Sequence, residues 1–291
     1  MHTTLISAHQ LQALQASGQD WLLFDCSFEL MKPAAGGAQF LEAHLPGARR
    51  ADLDQHLSGH DPAHNASGGR HPLPEREQFA AWLRQQGLNP GTQVVVYDRQ
   101  GVNYCGRLWW MLKWCGFDAV AVLDGGLAAW QALGGELVSG PAPEPAQPGS
   151  FELTAPLVGV WQATDIEGKL GHPTVTLIDA RAPPRFRGET EIIDPVAGHI
   201  PGALNRPFPD NMAADGRFKP AEQLRAEFDR LLAGRDPGSV VHYCGSGVSA
   251  ISNLLAMEVA GMGRAALYPG SWSEWCNTPG LPCAVNGVST S

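Results

Sequence analysis

The feature that most restricts the fold is an internal repeat. Thr176-Leu177-Ile178-Asp179 matches Leu22-Leu23-Phe24-Asp25, and His199-Ile200-Pro201-Gly202-Ala203 matches His44-Leu45-Pro46-Gly47-Ala48. Val241-His242-Tyr243-Cys244 matches Val95-Val96-Tyr97-Asp98, and the run from Gly270 to Trp275 matches Gly125 to Trp130. Four matches in one order make the chain two copies of one domain, their spacing drifting with loop length. In each copy short buried runs, such as Trp21 to Asp25, Gln93 to Asp98 and Ala119 to Asp124, alternate with helical segments. That alternation predicts an α/β fold, each half a mostly parallel sheet flanked by helices. A chain of 291 residues is also longer than one domain usually runs. The stretch 139–152 carries Pro141, Pro143, Pro145 and Pro148 and reads as a semi-rigid linker. The expected domains are therefore 1–138 and 153–291. Residues 5–16 read as a short amphipathic helix, 75–87 and 107–115 as helices, and 55–73 as one long loop, a class of segment that is often functional.

The chemistry concentrates after the strand Val240-Val241-His242-Tyr243. There Cys244-Gly245-Ser246-Gly247-Val248-Ser249 precedes a helical run, Ala250 to Met257. A cysteine at a strand end, on a Gly-rich turn before a helix N-terminus, lies where backbone N–H groups curl into an anion nest. The helix dipole adds partial positive charge at the same place. Both favour thiolate, the nucleophilic form. Parallel sheets place active sites at the carboxyl ends of their strands, which is where Cys244 falls. The first copy has Asp98 at the matching position, so only the second copy carries a nucleophile. His44, His199, Asp25 and Asp179 recur in both copies and read as structural groups that bond turns and strand ends.

Net charge of −9 argues against nucleic acid or an anionic membrane surface as partner. Six cysteines in so long a chain are not a disulfide framework, and none forms a Cys-x-x-Cys pair, so no zinc site is signalled. The first residues lack the basic-then-apolar pattern of a signal peptide, and no apolar run approaches spanning length. The expectation is a protein of the reducing cytoplasm, without metal or cofactor.

With these residues assembled, the chain resembles the tandem rhodanese-type sulfurtransferases over nearly its whole length. The marks are the His-x-Pro-Gly-Ala element in each half, the cysteine loop, and Gly270-Ser271-Trp272-Ser273-Glu274-Trp275. Within that family the 244–249 loop is similar to that of the 3-mercaptopyruvate sulfurtransferases, whose last position is usually threonine. Thiosulfate-preferring rhodaneses carry basic residues just after the cysteine. The resemblance implies two tandem rhodanese-like domains and a two-step reaction. Cys244 takes sulfur from a small-molecule donor such as 3-mercaptopyruvate, giving a persulfide and pyruvate, and passes it to a thiol, thioredoxin-like or cyanide acceptor. The N–H groups of Gly245, Gly247, Val248 and Ser249 are expected to stabilise the anionic sulfur. Arg185 stands where the family has a substrate-binding arginine. Ser246 matches a serine that works there with a histidine and an aspartate from the other domain, here His71 and Asp54, which implies a cleft between the domains as the active site. The second substrate arginine of the family has Asp194 at its position; Arg187, Arg181, Arg49, Arg50 and Arg70 are the candidate replacements. Trp272 is a candidate pocket wall. A tandem chain whose halves match each other is expected to be a monomer.

Three rivals remain on sequence alone. A cysteine phosphatase would need an arginine closing the loop, and positions 245–251 hold none. A sulfur-carrier or binding module is disfavoured by the intact loop beside its degenerate copy. Thiosulfate as preferred donor stays open, although its dianion calls for more positive charge than Gly245 and Ser246 supply.

Overall fold

The computed structural model describes residues 1–142, 144, 147–285 and 288–290. Two compact units emerge. The first comprises Met1–Gly59, Pro74–Leu157 and Met212–Phe218, the second His60–Leu73, Val158–Asn211 and Lys219–Ser291. The aperiodic segment His60–Leu73 thus belongs to the second unit, although it precedes the Pro-rich stretch by some distance in the chain. Of that stretch, Pro143 and Pro145 lie outside the described residues. Its end is anchored in the first unit, where the Gly149 and Phe151 amides donate to the carbonyls of Arg84 and Leu88.

The first unit runs β1 (Leu5–Ile6), α1 (Ala8–Ala16), β2 (Trp21–Asp25), α2 (Ala34–Glu42), β3 (Ala48–Arg50), α3 (Arg76–Gln85), β4 (Gln93–Tyr97), α4 (Cys105–Trp114), β5 (Val120–Leu123) and α5 (Gly126–Ala132). Its strands lie in the order β1-β5-β4-β2-β3, every pair parallel. Val94, Val95, Val96 and Tyr97 of β4 are all buried, the continuous apolar run that a strand covered on both faces requires. The helix expected over 5–16 is shorter. Leu5 and Ile6 pair with Val122 and Leu123 at the sheet edge, and Ser7 then caps α1 through a reciprocal pair with Gln10. That Ser-x-x-Gln capping box marks the start at Ala8.

The second unit runs α6 (Ala163–Glu167), β6 (Thr176–Asp179), α7 (Pro183–Phe186), β7 (Leu204–Asn205), α8 (Ala221–Leu232), β8 (Val240–Tyr243), α9 (Ala250–Val259), β9 (Ala266–Leu267) and α10 (Ser271–Trp275), then β10 (Cys283–Val285) and β11 (Val288–Thr290) as an antiparallel hairpin. Its main sheet, β7-β6-β8-β9, is again parallel throughout. Among the described residues no helix is long and apolar enough to cross a membrane.

The repeated residues do the same work twice. Tyr97 Oη accepts from the Leu45 amide and Tyr243 Oη from the Ile200 amide, each at 3.1 Å. His44 Nδ1 lies 2.7 Å from Phe40 O and His199 Nδ1 2.7 Å from Phe186 O, and each imidazole stacks on that phenylalanine at 3.8 Å. Asp25 Oδ1 accepts from the Ser27 amide and Asp179 Oδ1 from the Arg181 amide. These bonds tie each His-x-Pro-Gly turn to the strand beside it. None of them involves Cys244.

One buried group of the second sheet makes stability depend on pH. His242, fully buried in β8, has Nε2 3.1 Å from Met257 Sδ, and among the described residues its Nδ1 has no hydrogen-bond partner. Burial, with Arg206 adding repulsion, holds its pKa down at about 3. A histidine depressed in the folded state takes its proton more readily unfolded. Its contribution is therefore complete above the unfolded value of 6.5 and is lost as pH falls from there toward 3. Unfolding of the second unit is expected to cost about 2 kcal/mol less at pH 5 than at pH 7 on this account. His56 and His199, also depressed chiefly by burial, act in the same direction. Urea midpoints at the two pH values check this, with His242→Leu expected to flatten the slope; an unchanged slope in that variant contradicts it.

Candidate active site

Cys244 follows β8 directly, at the carboxyl end of a central strand, and is 1 % exposed. The turn after it is held by the first residues of α10. Trp272 N donates to Cys244 O at 3.0 Å and Ser273 N to Gly245 O at 2.9 Å. Ser271 Oγ accepts from Cys244 N at 3.1 Å and donates to Tyr268 O at 2.9 Å. Ser271 adopts φ +56°, matching φ +54° at Gly126, its counterpart in the first copy. Only glycine fits at 126, because a Cβ there would lie 2.4 Å from Asp98 O. In the second copy a serine occupies the left-handed position and fixes the Cys244 amide.

With the carbonyls committed to α10, the loop presents its amides. Gly245, Ser246 and Val248 are buried and Ser249 half-buried, yet among the described residues their N–H groups find no protein acceptor. Buried donors are almost always paired, so three buried open amides in the five residues after a cysteine are the arrangement an anion cradle needs. The first copy shows what such a turn holds. There the Asp98 carboxylate accepts from the amides of Gln100, Val102, Tyr104 and Cys105 at 2.8–3.0 Å. A side-chain anion fills the turn of one copy, and the other copy puts a cysteine there. Gly247 makes the curl possible, with φ +72° and room for no Cβ, since one would meet Pro269 O at 2.2 Å.

The segment His60–Leu73 brings a second set of groups to the loop. Arg70 N donates to Ser273 Oγ at 2.9 Å, and Ser67 Oγ accepts from Leu73 N at 2.8 Å, closing the turn that presents His71. His71 Nδ1 lies 2.8 Å from Ser246 Oγ, with both residues buried. Two of the three relay residues named from the sequence are therefore brought together. Asp54 stands half-buried in the turn after β3, in the first unit, its amide donating to Asp52 Oδ1 at 3.0 Å.

Arg185, on α7, reaches the same loop. A Cβ on Gly245 would lie 3.7 Å from Arg185 Nη1 and 3.3 Å from Arg70 Nη2. Arg185 Nε and Nη2 are bound by Glu191 at 2.8–3.0 Å, and Nη2 also meets Asp194 at 3.2 Å. The other proposed replacements for the missing arginine are occupied elsewhere. Arg181 is bound to Asp179 and to Gly198 O, Arg187 pairs at the surface with Glu189, Arg49 bonds to Gln86 O, and Arg50 pairs with Asp52. Trp272 proves to be core rather than pocket wall: it is fully buried, donates to Val196 O, and carries the Arg181 guanidinium over its ring. Sequence reasoning passed over Ser271, Ser273 and Glu191. The serine pair in Gly270 to Trp275, absent from the matching run of the first copy, was the signal for the first two; Glu191 had none.

The remaining thiols are poor competitors. Burial pushes Cys26 and Cys105 well up, Cys115 to about 12 and Cys276 to about 11, and raises Cys283 as well. Among the described residues no three His, Cys, Asp or Glu side chains cluster as metal ligands.

A cysteine at the end of a central parallel strand, before a turn with open amides, is the geometry that a thiol-dependent transfer site would use. Comparison with known proteins agrees. The rhodanese-like domain model matches twice, over residues 7–133 and 162–278. A Pseudomonas aeruginosa protein named "Probable 3-mercaptopyruvate sulfurtransferase" is 46% identical over 97% of this chain and 98% of its own. A Mycobacterium tuberculosis protein named "Putative thiosulfate sulfurtransferase SseB" is 40% identical over 96% of this chain and 95% of its own. The crystal structure of SseA from Escherichia coli, described as a 3-mercaptopyruvate sulfotransferase, superimposes with a TM-score of 0.78 at 32% identity, covering 94% of this chain and all of that one. The chain belongs to the rhodanese family of sulfurtransferases and carries the family's domain twice.

Proposed function

We propose that this enzyme is a 3-mercaptopyruvate sulfurtransferase that works through a persulfide on Cys244. The Cys244 thiolate attacks the donor's sulfur, the carbon–sulfur bond breaks, and its electron pair leaves on the enolate of pyruvate. The outer sulfur remains on Cys244 as an anionic persulfide. A proton delivered to the enolate carbon completes pyruvate, and a thiol, a thioredoxin-like protein or cyanide then removes the outer sulfur. The observation that carries this reading is that the amides of Gly245, Ser246, Val248 and Ser249 meet no acceptor among the described residues, which suits an anionic sulfur. Ser246 with His71 is the proton-transfer pair, a task that only a donor leaving as an enolate requires. Arg185 is assigned to the donor's carboxylate. Asp54 is kept, from the family resemblance alone, as the relay's aspartate.

The test compares kcat/KM for 3-mercaptopyruvate and thiosulfate with one common thiol acceptor, in the native chain and in Ser246→Ala and His71→Asn. Mercaptopyruvate is expected to be the better donor. Each variant is expected to lower its kcat by about 10²-fold while leaving thiosulfate turnover nearly unchanged. A preference for thiosulfate, or equal losses with both donors, overturns the proposal.

A further inference from the structure

Resting on that functional reading, we infer that Arg70 is the second anion-binding guanidinium of this site, and that Asp194, which bridges Arg70 to Arg185, selects a singly charged donor over a doubly charged one. Two cations converge on Gly245, and the space a side chain would fill there is bounded by Arg70 Nη2 at 3.3 Å and Arg185 Nη1 at 3.7 Å. The amides of Gly245 and Ser246 adjoin that space, without acceptors among the described residues. Behind the cations one carboxylate holds both. Asp194 Oδ1 takes Arg70 Nη1 at 2.7 Å, and Oδ2 takes Arg185 Nη2 at 3.2 Å. Asp194 is 2 % exposed against 27 % for Arg70 and 20 % for Arg185, so it braces the two from the buried side. Glu191 completes the brace, gripping Arg185 while its Oε1 accepts from the amides of Ile193 and Asp194. Arg70 keeps unused capacity, because its Nε is buried without a partner among the described residues.

The charge balance gives the arrangement its selectivity. Arg70 and Arg185 face Asp194 and Glu191, and Glu191 also meets Arg181, itself paired with Asp179, so the three guanidiniums and three carboxylates of the empty cluster are formally neutral. A monocarboxylate gains two directed donor edges and adds one negative charge. A dianion such as thiosulfate meets the same edges but carries a second charge toward Asp194 and Glu191 in a largely buried setting, where repulsion is poorly screened. An aspartate where the family has an arginine is thus no loss of the anion site. Arg70, supplied by the segment that also carries His71, provides the cation, and Asp194 sets its position and the net charge.

The test reads binding directly, so that it does not depend on turnover. Pyruvate and sulfate, stand-ins for a monocarboxylate and a dianion, are titrated calorimetrically into Cys244→Ser, alone and combined with Arg70→Met, Arg70→Lys or Asp194→Asn. Arg70→Met is expected to weaken pyruvate binding at least about 10-fold, with Arg70→Lys recovering part of it. Asp194→Asn is expected to shift the sulfate-to-pyruvate affinity ratio toward sulfate by about 10-fold or more. Pyruvate affinity unchanged in Arg70→Met, no measurable binding of either anion to Cys244→Ser, or equal gains for both anions in Asp194→Asn overturns the inference. If these shifts appear but the native chain does not turn over mercaptopyruvate, the functional reading fails while the anion clamp stands.

Discussion

Cys244→Ser is expected to lose more than about 10³-fold in kcat/KM with either sulfur donor and to stay folded. The two halves of that expectation have separate causes. A serine hydroxyl is far less acidic than a thiol and cannot hold sulfane sulfur, so the covalent route closes altogether. The fold tolerates the change because serine is nearly isosteric and brings a hydroxyl into a turn that already offers unpaired amide donors. Its cost to stability is expected to be about 1 kcal/mol, read from the urea midpoint. Cys276→Ser is the matched control. That thiol is half-buried, is pushed up to about 11, and has no part in the proposed reaction, so full activity is expected. Residual activity above a hundredth of native in Cys244→Ser would move the nucleophile elsewhere.

Gly247→Ala is expected to be among the most damaging single methyls in the second unit. Two penalties combine at this residue. The backbone is left-handed, which costs an L-residue roughly 1–2 kcal/mol. The added Cβ would also lie 2.2 Å from Pro269 O and 2.8 Å from Pro269 Cα, backbone atoms that cannot rotate away. A total near 3 kcal/mol or above is expected, with sulfur transfer reduced in the protein that does fold because the cradle must open to admit the methyl. Gly261→Ala separates the two terms. Gly261 has φ +69° but open space around it, so only the conformational part, about 1 kcal/mol, should appear. Equal effects at the two positions would mean that the Pro269 contact does not constrain the loop.

The parallel sheets are legible in the sequence because their central strands are buried on both faces and read as uninterrupted apolar runs. Val94 to Tyr97 is of this kind, Val240 to Tyr243 is broken only by His242, and the repeat pairs the two. The edge strands are not legible. Leu5–Ile6, Leu204–Asn205 and Ala266–Leu267 are two residues each, too short for any period, and are set by their neighbours in the sheet. The cysteine turn is legible from its glycines, since Gly247 is required by its conformation. The Ser246 to His71 contact joins positions 175 residues apart through a segment without periodicity, so only family resemblance points to it. Arg70 and Asp194 were hardest to read. A charge reversal at 194 suggests a missing cation, and nothing local in the sequence says that a loop 124 residues earlier supplies one. The backbone of that loop is fixed by tertiary bonds, such as Arg70 N to Ser273 Oγ, that leave no pattern of their own.

The central claim is that sulfur passes through Cys244 as a persulfide while pyruvate leaves. A single turnover tests it most directly: reduced protein is mixed with stoichiometric 3-mercaptopyruvate without acceptor, pyruvate is quantified, and the intact chain and its peptides are weighed by mass spectrometry. The account predicts one pyruvate per chain and one added sulfur atom, confined to the peptide carrying Cys244 and released by a thiol. Pyruvate formed without added sulfur, or sulfur carried on any of the other cysteines, would contradict it.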